Sequence, residues 1–453
     1  MNDEWGMEDG EWGMGNESLW RGKAGVMKKR FLGVLCLCGC LCLSAAALSQ
    51  PAPAKADETS HTLRPIEKPE TVSALRKVQE DVETLRGLRM GRPIPSYYFD
   101  AETLKRFVVK SLEQELPEAK RRPFIAFLES LHAVPERFDL PKMYEGLLGE
   151  QVAGFYDEDT KRLFVREDFD VANSALARMI LAHEICHALQ DNSFGLKRLI
   201  SVQDNDDRAN AGLSVAEGDA TLLMTEYVTR YCPAGALKEF PKYMFMDQSA
   251  MDSAPHFFRQ MLVFPYLQGQ IFVEEALSRA GNGRDRVLRA PPTTTEQVIH
   301  PEKFFDELDL PSSLTLLMPR DAHWNLPPSP ALPAAPQGFQ RAAINRMGEL
   351  GLRTLLEERL GMGTAADAAE GWDGDAYVVY SGSEGKWWFC WESAWDSDAD
   401  ALEFAGAWVT FWRSITGNAD LGSLKDKDQT FKAGSQTILV RRDRNRVVTA
   451  WGN

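Results

Sequence analysis

The stretch LAHEICHALQD, residues 181–191, lies near the middle of the 453-residue chain and decides how the rest is read. On a helix His183 and His187 project from one face, one turn apart, because side chains four residues apart lie above one another. Two imidazoles so placed can both reach one tetrahedral zinc ion at about 2.0–2.1 Å. Glu184 points close to the same place without having to bind the metal. It can take a proton from a metal-activated water and pass it to a leaving amine. The flanking Leu176, Ile180, Leu181, Ile185, Ala188 and Leu189 are apolar, so the polar trio interrupts a buried-helix pattern. The plain alternative is two helix-surface histidines with a carboxylate between them. Two further features weigh against it.

The first is a third ligand, since a catalytic zinc site needs three protein ligands and an open position. Glu217 lies within LSVAEGDATLLM, residues 213–224, inside a helical pattern. Gly218 beside it is costly there, about 1 kcal/mol relative to alanine. Close approach of a second helix sharing the metal is a reason to accept that cost, and Ala216 and Ala220 extend the small surface. Asp219 is the runner-up ligand, or a carboxylate behind the ligands that holds a histidine ring. The second feature is the pattern EQVAGFYDEDTKRLFV, residues 150–165, which reads as a β-hairpin around the polar turn Asp157–Thr160. A strand edge beside a metal site offers backbone groups to an extended peptide.

The arrangement resembles the zincin metallopeptidases, and within them the gluzincins, whose ligands are the two histidines of H-E-x-x-H and a glutamate on a following helix. That resemblance implies one Zn²⁺ per chain held by His183, His187 and Glu217, with Glu184 as general base. Several stretches (GEQVAGFYDEDTKRLFV, LAHEICHALQDNSFGL, AEGDATLLM and PPTTTEQVIHPEKF) are also similar to a poorly characterised group of exported bacterial proteins. The likeness spans roughly residues 72–310 and continues more weakly through GWDGDAYVVY and WDSDADALEF. It implies a peptidase-like site and carries no substrate with it. In the thermolysin pattern an aspartate lies four residues after the ligand glutamate, whereas here that position is Thr221. His300, on a loop between Pro292 and Pro301, is a candidate hydrogen-bond donor to a tetrahedral oxyanion, with Tyr266 and Tyr156 as rivals. The remaining histidines, His61, His132, His256 and His323, have no ligand spacing.

The rest of the chain sets the context. A hydrophobic content of 44% and a charged content of 26% are those of a globular protein. The net charge of −15 argues against a general nucleic-acid binder, which needs a basic footprint. Residues 1–26 are acidic and rich in Gly and Trp, and read as disordered or as lying upstream of a true start at Met27. Residues 27–49 carry a basic run, an apolar run and small residues, the layout of a signal peptide; a membrane anchor is the alternative, and LCGC weakly resembles a lipidation box. Four of the seven cysteines fall there. Of the others, Cys186 reads as a small buried residue, and a Cys232–Cys390 bridge is open to an exported protein.

Residues 50–71 read as a disordered spacer. Residues 72–318 form the zincin-like domain, with helical spacing from Val72 to about Leu131, a histidine helix capped by Asn173 or Ser174, and helices near 206–231 and 256–280. Residues 319–338, with five prolines between Leu326 and Pro336, make a stiff linker. Residues 339–453 form a small α+β domain of unknown role whose tryptophans read as core.

The expectation is an α+β protein, mostly helical, with a β-hairpin before the active-site helix. Its expected function is exported zinc-dependent peptide-bond hydrolysis on protein or peptide substrates. No nucleic-acid partner is expected, and membrane contact is expected only through an N-terminal anchor or lipid. The alternatives are a non-catalytic exported binding protein that retains the scaffold and a metal hydrolase with a non-peptide substrate.

Overall fold

A computed structural model describes residues 64–452 apart from 149–151, 153, 203, 236–237, 240–248, 313, 315–336, 418–427 and 434–435. The signal or anchor region, most of the spacer and nearly all of the Pro-rich linker lie outside the described residues. Among the described residues no helix is long and apolar enough to cross a membrane.

In chain order the first half comprises β1 (Arg64–Pro65), α1 (Pro69–Arg86), β2 (Ser96–Phe99), α2 (Ala101–Glu115), α3 (Glu118–Ser130), α4 (Leu140–Leu148), β3 (Gly154–Asp157) and β4 (Arg162–Arg166). Then follow α5 (Ala175–Phe194), α6 (Leu196–Ile200), α7 (Asp206–Tyr231), α8 (Ser249–Ser253), α9 (His256–Arg279), α10 (Gly283–Arg289), α11 (Thr295–Ile299) and α12 (Pro301–Phe305). The C-terminal part comprises β5 (Gln340–Asn345), α13 (Gly348–Leu360), α14 (Met362–Ala369), β6 (Trp372–Ser381), β7 (Trp387–Trp395), α15 (Asp398–Thr416), β8 (Asp428–Ala433), β9 (Gln436–Asp443) and β10 (Arg446–Gly452). The fold is α+β.

The expected hairpin is β3–β4, which sits in a four-stranded sheet of order β1-β2-β4-β3. Strand β2 pairs with β4 in parallel, Ser96 opposite Leu163. The helical spacing expected across Val72–Leu131 contains no hint of this strand. Four residues whose pairing partner lies more than sixty positions away leave no local signal. One face of the sheet packs Leu163 and Val165 against Val78 and Val82 of α1 and Ile185 of α5. The other packs Phe99, Phe155 and Phe164 against α2, α4 and α9.

Gly218 was expected to let the glutamate helix approach the histidine helix, and that partner is corrected. A Cβ on Gly218 would lie 2.2 Å from the carbonyl carbon of Gly269 on α9, and one on Gly269 would lie 2.1 Å from the Ser214 carbonyl oxygen of α7. The close crossing is therefore α7 on α9, backbone against backbone. Because backbone cannot swing aside, Gly218→Ala should destabilise the fold by about 3 kcal/mol or more, the upper end for overpacking. A urea midpoint within a few tenths of a molar of the parent, at equal slope, would contradict the crossing.

The C-terminal sheet, order β5-β6-β7-β10-β9-β8, is antiparallel throughout. Trp391, Trp395, Trp408, Trp412 and Trp451 are fully buried beside Phe404. This core is continuous with the first half of the chain. Phe127 of α3 stacks on Tyr377 with centroids 4.2 Å apart, and Trp451 donates its indole N–H to Ser130 Oγ at 2.9 Å. Cys232 and Cys390 are free thiols, each buried in a different cluster, so the bridge left open by the sequence is not formed.

The C-terminal region also grips the start of α7. The Asp206 amide donates to Asn345 Oδ1 at 2.9 Å. Asp207 Oδ1 accepts from the Thr295 amide at 2.8 Å and from its hydroxyl at 2.5 Å, and that hydroxyl accepts from the Leu350 amide. Burial, with Asp375 and Glu349 nearby, pushes the Asp207 carboxyl up to about 7, against the opposing hydrogen bonds from Thr295. A folded-state pKa above the unfolded value contributes stability that is full below about pH 4 and lost as pH rises through about 7. Thermal and urea unfolding of the parent should therefore lose up to roughly 4 kcal/mol from this group between pH 4 and 8. Asp207→Asn keeps an acceptor oxygen and should lack that component. Equal pH slopes in parent and variant would refute this assignment.

Candidate metal centre

Helix α5 is capped at both ends. The Ser174 hydroxyl accepts from the Ala177 amide, and the Glu239 carboxylate accepts from the Ala175 and Leu176 amides at 3.0 Å each. Gly195 closes the other end in the left-handed region at φ 76°. From Met179 to Asp191 the helix is buried on every face, so the histidines point into protein, not solvent.

His183 Nε2 lies 3.0 Å from His187 Nε2 and 3.1 Å from Glu217 Oε2, and His187 Nε2 lies 3.5 Å from the same oxygen. A tetrahedral site with bonds of 2.0–2.1 Å has ligand-to-ligand edges of about 3.3–3.4 Å, so these three atoms are spaced as a zinc set requires. All three expected ligands are brought together. Glu217 Oε1 and Glu184 Oε1 are buried with no hydrogen-bond partner. Burial pushes Glu217 up, but His187 and His183 outweigh it and hold the carboxyl well below the usual range. Burial pushes His187 down, but Glu217 outweighs it and raises the ring to about 9, whereas His183 is pushed down by burial. The buried Glu217 carboxylate thus favours positive charge beside it, which is what a divalent cation would supply. The residues fit the metal that the motif implies.

Glu184 is not one of the three clustered ligand groups. Its Oε2 accepts from the Tyr156 amide of β3 at 3.0 Å, and burial pushes its carboxyl up to about 8 against the opposing effects of His187 and that amide. The Tyr156 ring runs on to donate its hydroxyl to Asp191 Oδ2 at 2.8 Å, where Lys161 Nζ also lies at 2.5 Å. One tyrosine therefore ties the hairpin to the helix at both Glu184 and Asp191. The strand edge expected to face a peptide is instead turned against α5 at Tyr156, and every residue of β3 is buried. The site as a whole is enclosed: His183, Glu184 and His187 are each 1% exposed and Glu217 is 0% exposed.

Asp219 is neither a ligand nor a direct partner of a histidine. Its Oδ2 accepts from Arg86 Nε at 3.0 Å and from Gln190 Nε2 at 2.9 Å, and its Oδ1 accepts from Arg284 Nε at 2.6 Å. Burial pushes it up, but Arg284 and Arg86 outweigh it and hold the carboxyl well below the usual range. Gln190 in turn meets His187 Nδ1 through Oε1 at 2.9 Å. Gln190 is readable in principle, three residues past His187 on the same helix. Arg86 and Arg284 are too remote in sequence to be inferred.

His300 is placed elsewhere. It ends α11 and precedes α12, with Nε2 at 3.1 Å from Glu349 Oε1 of α13, and none of its described contacts reaches the metal-ligand set. The helices it joins pack on the C-terminal region, which draws the ring that way. Of its rivals, Tyr266 of α9 is buried and stacks on His183, with centroids 6.1 Å apart at 24°. A second acidic group, Glu296, Asp309 and Asp396, already holds the Lys303 ammonium at 2.6, 3.2 and 2.7 Å and reads as an ion-pair cluster.

A family described as a domain of unknown function (DUF8575) matches residues 337–452. No curated protein and no solved structure matches the chain.

Proposed function

We propose that the chain is a zinc-dependent peptide hydrolase acting outside the cytoplasm. The observation that carries this reading is the convergence of His183, His187 and Glu217 within 3.5 Å, with a non-ligand carboxylate, Glu184, held beside them by a backbone amide. Zinc, when bound, supplies Lewis acidity toward a carbonyl oxygen and toward water. The protein's own part is proton handling. With Oε2 of Glu184 fixed by the Tyr156 amide, Oε1 is left to take a proton from water and return it to the leaving amine. Tyr266, stacked on His183, takes the place first given to His300 as the donor toward the carbonyl oxygen.

A second reading rests on the burial of the whole site. A metal enclosed by protein on every side suits a non-catalytic exported binding protein, and hydrolysis requires a substrate to part the covering residues. Bound metal and cleavage of a diverse peptide library, both measured on the full chain, separate the two. One zinc per chain with cleavage supports the peptidase; zinc without cleavage supports the binding protein; a chain that takes up no zinc removes both.

A further inference from the structure

Gln190 is completely buried, and its two amide ends can be told apart by their partners. Nε2 lies 2.9 Å from the Ala216 carbonyl oxygen and 2.9 Å from Asp219 Oδ2. A carbonyl and an ionised carboxylate only accept, so both must receive N–H. Asp219 is kept ionised, and so acceptor-only, by the guanidinium groups of Arg86 on Oδ2 and Arg284 on Oδ1. Turning the amide over would set its oxygen against two acceptors and lose both bonds in a buried place. Oε1 therefore faces His187 Nδ1, and since Oε1 accepts, Nδ1 carries hydrogen. In the neutral ring the lone pair is then on Nε2, the nitrogen facing His183 and Glu217.

We infer that Gln190 is a positioning residue which, anchored by Asp219, Arg86 and Arg284, selects the Nδ1–H tautomer of His187 and aims its Nε2 lone pair into the site. The same amide ties α5 to the carbonyl of Ala216, the residue before Glu217, so it also sets the spacing of the two ligand-bearing helices. The relay is neutral at its last link: it orients the ring without placing a second carboxylate against it. The inference rests on the zinc reading for its purpose, but the tautomer can be tested without metal.

Selective ¹⁵N labelling of histidine in the metal-free full chain, read by long-range ¹H–¹⁵N correlation with the His187 ring neutral, should show Nδ1–H. An Nε2–H ring in the parent would overturn the proposal whatever the variants do. Gln190→Met keeps the volume and removes the acceptor; it should abolish the Nδ1–H preference and weaken zinc binding about 10–100-fold in chelator competition. An unchanged tautomer, or unchanged zinc affinity once the preference is lost, would also overturn it. A parent that shows the Nδ1–H ring, loses it in Gln190→Met and binds no zinc would uphold the relay and remove the zinc reading instead.

Discussion

Glu184→Gln is expected to leave zinc bound and peptide cleavage lower by about 10²–10⁴-fold, the usual contribution of a positioned general base. The reason lies in what the substitution spares. Glutamine has the shape of glutamate, and its amide oxygen can still accept from the Tyr156 amide, which now meets Glu184 Oε2. The three proposed metal ligands are untouched, so metal content should stay at the parent's value. What disappears is the second oxygen's capacity to take up and return a proton. Elemental analysis and initial rates on the same preparations check the outcome. Equal rates in parent and variant would remove Glu184 from the chemistry; loss of zinc would show that it serves the ligand set.

Ending the chain at residue 336 is expected to abolish cooperative folding, not merely to remove an accessory domain. Phe127 is fully buried, and the rings packed around it, Tyr377, Phe389, Trp391 and Trp451, all lie beyond that point. Leu128 and Leu131 belong to the same cluster. Exposing three such side chains forfeits about 1.5–3 kcal/mol each, which together rivals the whole stability of an ordinary domain. The start of α7, the helix that carries Glu217, would lose the Asn345 contact and the Leu350 amide that backs Thr295. Size-exclusion and thermal unfolding of residues 64–336 should show aggregated or non-cooperative material. A monomer that melts cooperatively and holds zinc would show instead that the N-terminal part folds alone.

The Pro-rich segment at 326–336 reads as a clean divider, and the family match to residues 337–452 begins just after it. Packing tells a different story about independence, since one hydrophobic cluster runs through both parts. Composition marks where the chain changes character, but it cannot say which faces meet.

The sequence by itself determined the elements with strong local signals. Ser174 and Gly195 bound the histidine helix, the helix over residues 206–231 and the β3–β4 hairpin lie where periodicity and turn residues put them, and His183 and His187 share a face because the helix repeat demands it. Glu217 was legible as a candidate ligand from the histidines upstream together with a family resemblance, and the fold sets it beside them. Only the tertiary structure decided the rest: that Gly218 serves the α9 crossing, that His300 turns to Glu349, and that Asp219 reaches His187 through Gln190 with two distant arginines behind it. A repeat along one helix is fixed by backbone geometry within a few residues. The partners of a buried charge come from wherever the fold brings an opposite charge, and for Asp219 those lie 133 and 65 positions away.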